Sequence, residues 1–291
     1  MESGFKVLLV YKNSTYASYF LSGQSRLKRL QGIFRHAEIK RFKETHDHHF
    51  RCLSHIETVL KSKGLKYTKI CRGKQVNYRQ YNLVITVGGD GTFLEAARNV
   101  REHLILGVNS DPIWSVGNFC AAREGNFQKI LDAVLCGSQK IRVCQRMMLT
   151  LSKKDSHRVH VLNDILVCHI NPAAISRYYL TIGKLREEQR SSGLWIATAA
   201  GSSGAIRSAG GWILPPESKR IQYHARELYV RRNIHYKLKG GILSLMQPVT
   251  ITSFMREGAI FVDGCHHKIA FPFGRCVEIT QSPYPLKIVW S

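Results

Sequence analysis

The sequence predicts an α/β, Rossmann-like N-terminal domain followed by a β-rich, β-sandwich-like C-terminal domain. Two observations predict it. Up to about residue 138, apolar runs of strand length alternate with segments of helical period. Beyond about residue 140 the runs are short and β-rich, and helical periodicity is scarce. A third observation says where a ligand belongs. The apolar run Leu83-Val84-Ile85-Thr86-Val87 breaks into Gly88-Gly89-Asp90-Gly91-Thr92, and parallel sheets bind ligands beyond the carboxyl ends of their strands.

Taken in order, Lys6 to Tyr11 reads as a buried strand. The stretch from Tyr19 to Arg41 is rich in Arg and Lys and poor in acids, as transit peptides are, but a strand precedes it. Phe50, Leu53, Ile56, Val59 and Leu60 recur at helical spacing and the helix closes at Gly64. His46, His48 and His49 are expected just before that helix, with Asp47 as its cap. With no further ligand set in view they read as surface histidines and not as a metal site, and Cys265-His266-His267 reads the same way. Leu65 to Ile70 and Leu104 to Val108 are further strands, and Phe93 to Arg98 and Phe127 to Leu135 are helices, the last closing at Gly137. The β-rich runs follow: Arg142 through Leu151, Val159 to Cys168, Tyr178 to Ile182, Leu194 to Thr198, Val249 to Phe254 and Ala259 to Val262. Cys276 to Trp290 is again strand-like. The expected division is therefore residues 1–138, an all-β domain over 139–267, and a segment over 268–291 that packs back on the first domain.

The glycine turn carries the chemistry. Glycine lacks a Cβ, so backbone N–H groups come close to an anion, and the helix that follows adds its N-terminal dipole. Bare anion binding would not place the carboxylate of Asp90 inside such a cradle. A carboxylate there holds Mg²⁺ or takes a proton from an attacking hydroxyl, which is phosphoryl-transfer chemistry. The blander alternative is an Asx turn that merely stabilises the loop.

Composition narrows the classes. A chain of 291 residues with 44% hydrophobic residues fills one large or two modest cores, which argues against disorder. No apolar run approaches the roughly 18–20 residues of a membrane span. Neither a signal peptide nor a peroxisomal address is visible, and the expected location is the cytoplasm. Eight cysteines with no C-x-x-C pair read as reduced, mostly buried thiols. The net charge of +23 attracts polyanions without saying which. Lys and Arg are dense at Arg26 to Arg29, Lys40 to Lys43 and Arg231-Arg232, yet no nucleic-acid-binding signature accompanies them. A basic enzyme with phosphorylated substrates is favoured over a nucleic-acid binder.

Further motifs follow the turn in a fixed order: Val108-Asn109-Ser110-Asp111-Pro112, Leu162-Asn163-Asp164-Ile165, Ser192-Gly193-Leu194, Thr198 to Ala205, Ser208-Ala209-Gly210-Gly211 and Phe261 to Cys265. This set resembles the NAD kinase family, and within it the plant-type NADH kinase branch. The glycine turn alone is shared with diacylglycerol and sphingosine kinases, so a lipid or sphingoid-base acceptor is the alternative. A low-activity or non-catalytic dinucleotide or nucleic-acid binder is a third reading.

The resemblance implies transfer of a phosphate from ATP, with Mg²⁺, to the 2′-hydroxyl of the adenosine ribose of NADH or NAD, in a homodimer or higher homo-oligomer. It implies Asp90 as the base and Gly88, Gly89, Gly91 and Thr92 along the phosphate path. Asn163 and Asp164 match a pair that binds the dinucleotide, and Ala200, Gly201, Ser202, Ser203, Ala205 and Ser208 match a loop against its adenine and ribose. The chain departs from the family at Asp164, where many members have Glu, at Ser192, where many have Asp, and at Gly204. Pro112 to Asn118 is shorter than the corresponding loop of relatives, which implies fewer contacts to ATP. The extra glycine at 204 implies a less ordered loop.

Overall fold

Residues 4–21, 30, 32–151, 158–230 and 235–290 are described by the computed structural model. The basic runs Arg26 to Arg29 and Arg231-Arg232 lie outside them. Two compact units result, one from residues 1–142 with 287–291 and the other from 143–286. The junction lies four residues beyond the expected break at 138, and only the last five residues of the 268–291 segment belong with the first unit.

In the first unit β1 (Lys6–Tyr11) leads through a short helix α1 (Thr15–Tyr19) into the long α2 (His36–Ser62) and then β2 (Lys66–Cys71). β3 (Leu83–Gly88), α3 (Asp90–Ala97), β4 (Leu104–Asn109), β5 (Cys120–Arg123), α4 (Phe127–Leu135) and β6 (Lys140–Cys144) follow. The sheet order is β2-β1-β3-β4, then the chain's last strand (Leu286–Trp290), then β6, with β5 beside the carboxyl half of β4. β1, β2, β3, β4 and β5 are mutually parallel where they pair. β3 is buried along its whole length and β1 nearly so, which is why both read as unbroken apolar runs. Leu53, Ile56 and Leu60 of α2 and Phe127 and Leu131 of α4 share a core with Val7, Leu9, Ile85 and Leu106 of the strands.

Helix α2 starts fourteen residues before its first expected residue, Phe50. His46, Asp47, His48 and His49 therefore sit inside it, Asp47 caps nothing, and His49 is fully buried. The reason is an aromatic stripe hidden in a basic run. Phe42, His46 and Phe50 stand four apart on one helix face. Phe42 packs on Phe20 at 5.6 Å and His46 on Phe50 at 4.6 Å between ring centroids.

The second unit is a pair of antiparallel six-stranded sheets. It comprises β7 (Met147–Leu151), β8 (Arg158–Val161), β9 (Asp164–His169), β10 (Ser176–Ile182), β11 (Leu185–Ser191), β12 (Gly193–Thr198), a one-turn helix α5 (Ala205–Ser208) and β13 (Arg220–Arg226). β14 (Gly240–Ser244), β15 (Val249–Ser253), β16 (Gly258–Val262), β17 (His267–Ala270) and β18 (Cys276–Gln281) complete it, before β19 (Leu286–Trp290) closes the chain. One sheet runs β11-β10-β15-β18-β7-β8 and the other β14-β13-β12-β9-β16-β17. Their inward residues form a single core, with Leu149, Leu180 and Ile251 from the first sheet and Val167, Ile196 and Ile260 from the second. The chain passes from one sheet to the other between β8 and β9, at Leu162-Asn163.

All eight cysteines are free thiols; only Cys52 and Cys144 are buried, and Cys136 and Cys265 are exposed, so fewer are buried than expected. Among the described residues no helix is long and apolar enough to cross a membrane.

Candidate active site

The first unit places its candidate site at the carboxyl end of β3. Gly88 ends the strand, Gly89 stands as the N-cap of α3, and Asp90 is the first helical residue. Helix geometry leaves the N–H groups of Asp90 and Gly91 without intrahelical acceptors, while Thr92 N already donates to the Gly89 carbonyl at 3.0 Å. A Cβ on Gly88 would stand 2.5 Å from Thr92 Oγ1, and one on Gly89 would collide with Ser115 Oγ. Only glycine lets the turn close this tightly. Thr92 is buried, and among the described residues its hydroxyl has no hydrogen-bond partner.

Asp90 is tied to the 112–118 loop. Its two carboxylate oxygens accept the N–H groups of Phe119 at 2.9 Å and Asn118 at 3.0 Å. The side chain is thus oriented by two backbone donors, while each oxygen keeps a further lone pair. The loop is braced elsewhere as well: Asn109 Nδ2 donates to the Ser115 carbonyl at 2.8 Å, and Ser115 N to the Asp111 carbonyl at 2.9 Å. Bracing the loop and facing a ligand are therefore tasks one carboxylate can share.

Two cations flank the turn. Lys12, the residue after β1, runs past Gly88, and Arg72, the residue after β2, approaches Gly91. Arg72 is engaged by Glu95 at 3.6 Å. Burial lowers the pKa of Lys12 below the usual lysine range; Asp111 opposes that shift and Arg72 adds to it. The Lys12 carbonyl accepts from His49 Nε2 at 2.8 Å, and His49 Nδ1 lies 2.8 Å from Ser110 Oγ. A carbonyl only accepts, so Nε2 carries the proton and Nδ1 accepts from the serine. Burial, helped by the charge of Lys12, depresses the imidazole to about 4, which keeps it neutral in this bridge.

The second unit brings two of the expected motifs into contact. Gly201 packs on the main chain of Asn163, whose carbonyl oxygen a Cβ there would strike. A Cβ on Gly204 would lie 3.4 Å from Asn163 Nδ2 and 3.7 Å from Asp164 Oδ2. Thr198 Oγ1 donates to the Leu162 carbonyl and accepts from Gly201 N, stitching the loop to the crossing between sheets. Gly204 N donates to the Gly201 carbonyl at 3.0 Å, so this glycine stands in a hydrogen-bonded turn and not in a loosened loop.

Beneath Asn163-Asp164 lies Asp263. Its carboxylate accepts from Asn163 N at 2.7 Å and Leu162 N at 3.3 Å, and its own N–H donates to the Asp164 carbonyl at 2.9 Å. Asn163 Nδ2 donates to Asp164 Oδ2 at 3.2 Å. Burial first, and the charge of Asp263 second, raise the Asp164 carboxyl to about 7.

The remaining expected residues fall into two sets. Ser202 turns inward, its hydroxyl accepting from Leu214 N at 2.9 Å and donating to the Leu214 carbonyl at 3.3 Å. Ser203, Ala205 and Ser208 are exposed, and Ala200 is half-buried. Ser192 lines a cavity of about 360 Å³ with Cys168, His169, Ser176 and Arg226. Lys12 was not singled out by sequence, and Asp263 lay within the motif Phe261 to Cys265 without a role of its own. The position of Lys12 directly after the first strand was the available signal for it. Among the described residues no three of His, Cys, Asp and Glu stand together to hold a metal ion.

Comparison with known proteins adds family evidence. A sequence profile described as the ATP-NAD kinase N-terminal domain matches residues 30–138. A probable NADH kinase of rice (Oryza sativa subsp. japonica) is 34% identical over 268 residues, covering 82% of each chain. The fold matches the crystal structure of an NAD kinase from Archaeoglobus fulgidus in complex with ATP, with a TM-score of 0.68, 19% identity and 98% of this chain and 93% of that one covered. It also matches yeast NADH kinase complexed with NADH, with a TM-score of 0.70, 16% identity and 100% and 84% covered.

Proposed function

The chain belongs to the NAD kinase family, and on that premise we infer the division of labour within it. It is an ATP-dependent kinase that phosphorylates the 2′-hydroxyl of the adenosine ribose of NADH or NAD. The bond between the γ-phosphorus and the β,γ-bridging oxygen breaks, a bond from that phosphorus to the ribose 2′-oxygen forms, and ADP leaves. Asp90 takes the hydroxyl proton. Gly88, Gly89, Gly91 and Thr92 line the phosphate path, and Mg²⁺ enters with ATP as part of the substrate. In the second unit Asn163 and Asp164 bind the dinucleotide, and Ala200, Gly201, Ser203, Ala205 and Ser208 form the loop that receives its adenosine end. Ser202 serves that loop from within.

The observation that carries this reading is Asp90. It stands at the N-terminus of α3, oriented by two backbone donors, beside a turn that admits no side chain. A ribose hydroxyl is a poor nucleophile, and a placed base contributes about 10²–10⁴-fold. In-line positioning and charge neutralisation supply the rest. The same reading places the protein in the cytoplasm as a homodimer or higher homo-oligomer.

The test is a kinase assay on purified protein with MgATP, NAD and NADH side by side, and sphingosine vesicles as a third acceptor. NADP or NADPH is the expected product. Product from the vesicles and none from either dinucleotide would overturn the reading.

A further inference from the structure

Lys12 is a charged group near the turn to which the function above gives no task and, unlike Arg72, it is not engaged by Glu95. It follows β1, and the sheet order reverses between β1 and β3, since β2 lies on one side of β1 and β3 on the other. Ligands of open parallel sheets bind at such a reversal. The register sets Tyr11 against Val87, so Lys12 emerges beside Gly88. Its Cδ is 3.5 Å from where a Cβ on that glycine would stand. Its main chain is pinned through the His49 bridge to Ser110, so the side chain extends over the turn from a fixed base.

The surroundings of this ammonium are short of acceptors. Among the described residues no carboxylate lies within ion-pair distance of it. Asp111 acts on it from farther off, and Glu95 engages Arg72 on the other side of the turn. A half-buried charge without a partner is costly, as is a buried hydroxyl without one. Lys12 and Thr92 both bring side-chain donors to one turn, and helix α3 adds the N–H groups of Asp90 and Gly91 at its start. An anion satisfies all three at once.

We propose that Lys12 is a catalytic residue whose ammonium, with the Thr92 hydroxyl, binds the phosphoryl group being transferred. It neutralises charge as the bond to the β,γ-bridging oxygen breaks and the bond to the acceptor oxygen forms. It gives up no proton, because the acceptor's proton goes to Asp90. Burial, with Arg72 second to it among the lowering causes, holds the Lys12 pKa down in the free protein, and a bound polyphosphate would oppose that shift. The proposal rests on the phosphoryl-transfer reading given above.

The experiment compares wild type with Lys12→Met and Lys12→Arg, checked for folding by circular dichroism and thermal melting. Two readouts are used: kcat and KM for ATP and for NAD(H), and calorimetric binding of tripolyphosphate. Lys12→Met is expected to lower kcat/KM for ATP roughly 10²-fold, the cost of removing one transition-state donor. It should weaken tripolyphosphate about tenfold and leave KM for NAD(H) within about twofold, with Lys12→Arg retaining more activity. An active wild type with an unchanged Lys12→Met would overturn the role of Lys12 and leave the kinase intact. An inactive wild type would overturn the kinase reading, and tripolyphosphate binding would then decide on Lys12 alone: equal binding by both proteins refutes it.

Discussion

The two units use glycine and charge in opposite ways. In the first, Gly88 and Gly89 close a turn against the side chains of Thr92 and Ser115, and the neighbouring charge is a cation, Lys12. In the second, Gly201 closes against the main chain of Asn163, and the neighbouring charge is an acid, Asp164. Side-chain ends can rotate aside; a backbone carbonyl fixed between two sheets cannot. The first turn can therefore yield where the second, a joint between two sheets, cannot.

The largest effect expected from this contrast is on turnover. Asp90→Asn keeps the shape of the side chain and removes the proton acceptor, so kcat should fall about 10²–10⁴-fold with dinucleotide binding retained. A loss under threefold in steady-state assays would make Asp90 a loop brace and erase the functional half of the contrast.

Next comes stability. Gly201→Ala is expected to cost about 3 kcal/mol, the upper part of the usual overpacking range, because the new Cβ meets Asn163 backbone. Gly89→Ala meets only Ser115 Oγ and is expected to cost about 1 kcal/mol. Urea midpoints for the two variants read this directly, and equal shifts would break the distinction.

The pH dependences of the two units have opposite signs. Burial raises Asp164 from 3.8 to about 7, so the folded state binds the extra proton between those values, and stability contributed by the neutral acid falls as pH rises from about 4 to 7. Burial lowers His49 from 6.5 to about 4, so the unfolded state binds the extra proton there, and stability is lost as pH falls from about 6.5 to 4. Thermal melts of Asp164→Asn and His49→Gln across pH 4–8 should each flatten one slope and leave the other. A single variant that flattened both would show that the two groups are not independent.

How much was legible in the sequence varies by region for physical reasons. β1, β3 and β4 were readable because strands buried on both faces are unbroken apolar runs. β11, with the sequence LREEQRS, was not: it is an edge strand carrying charges that pair across the sheet, as Glu188 does with Arg177 of β10 at 3.2 Å. β13 was hidden by Gln222, a fully buried polar residue satisfied by Trp212 through bonds of 2.8 and 2.7 Å. β14 and β17 are short edge strands and β5 has only four residues, too little pattern to read. The amino-terminal half of α2 was masked by its Lys and Arg residues, although Phe42, His46 and Phe50 carried the helical period.

The sequence by itself determined the strand, the glycine turn and the helix beginning at Asp90, because all three are fixed by residues adjacent in the chain. It also determined, through the order of its motifs, which family to expect. Tertiary structure alone decided that Lys12 lies beside Gly88, that His49 pins it, and that Asp263 underlies Asn163-Asp164. It decided too that Gly201 bears on Asn163. Those partners are distant in sequence, and no local periodicity records a contact that only strand order and sheet crossing create.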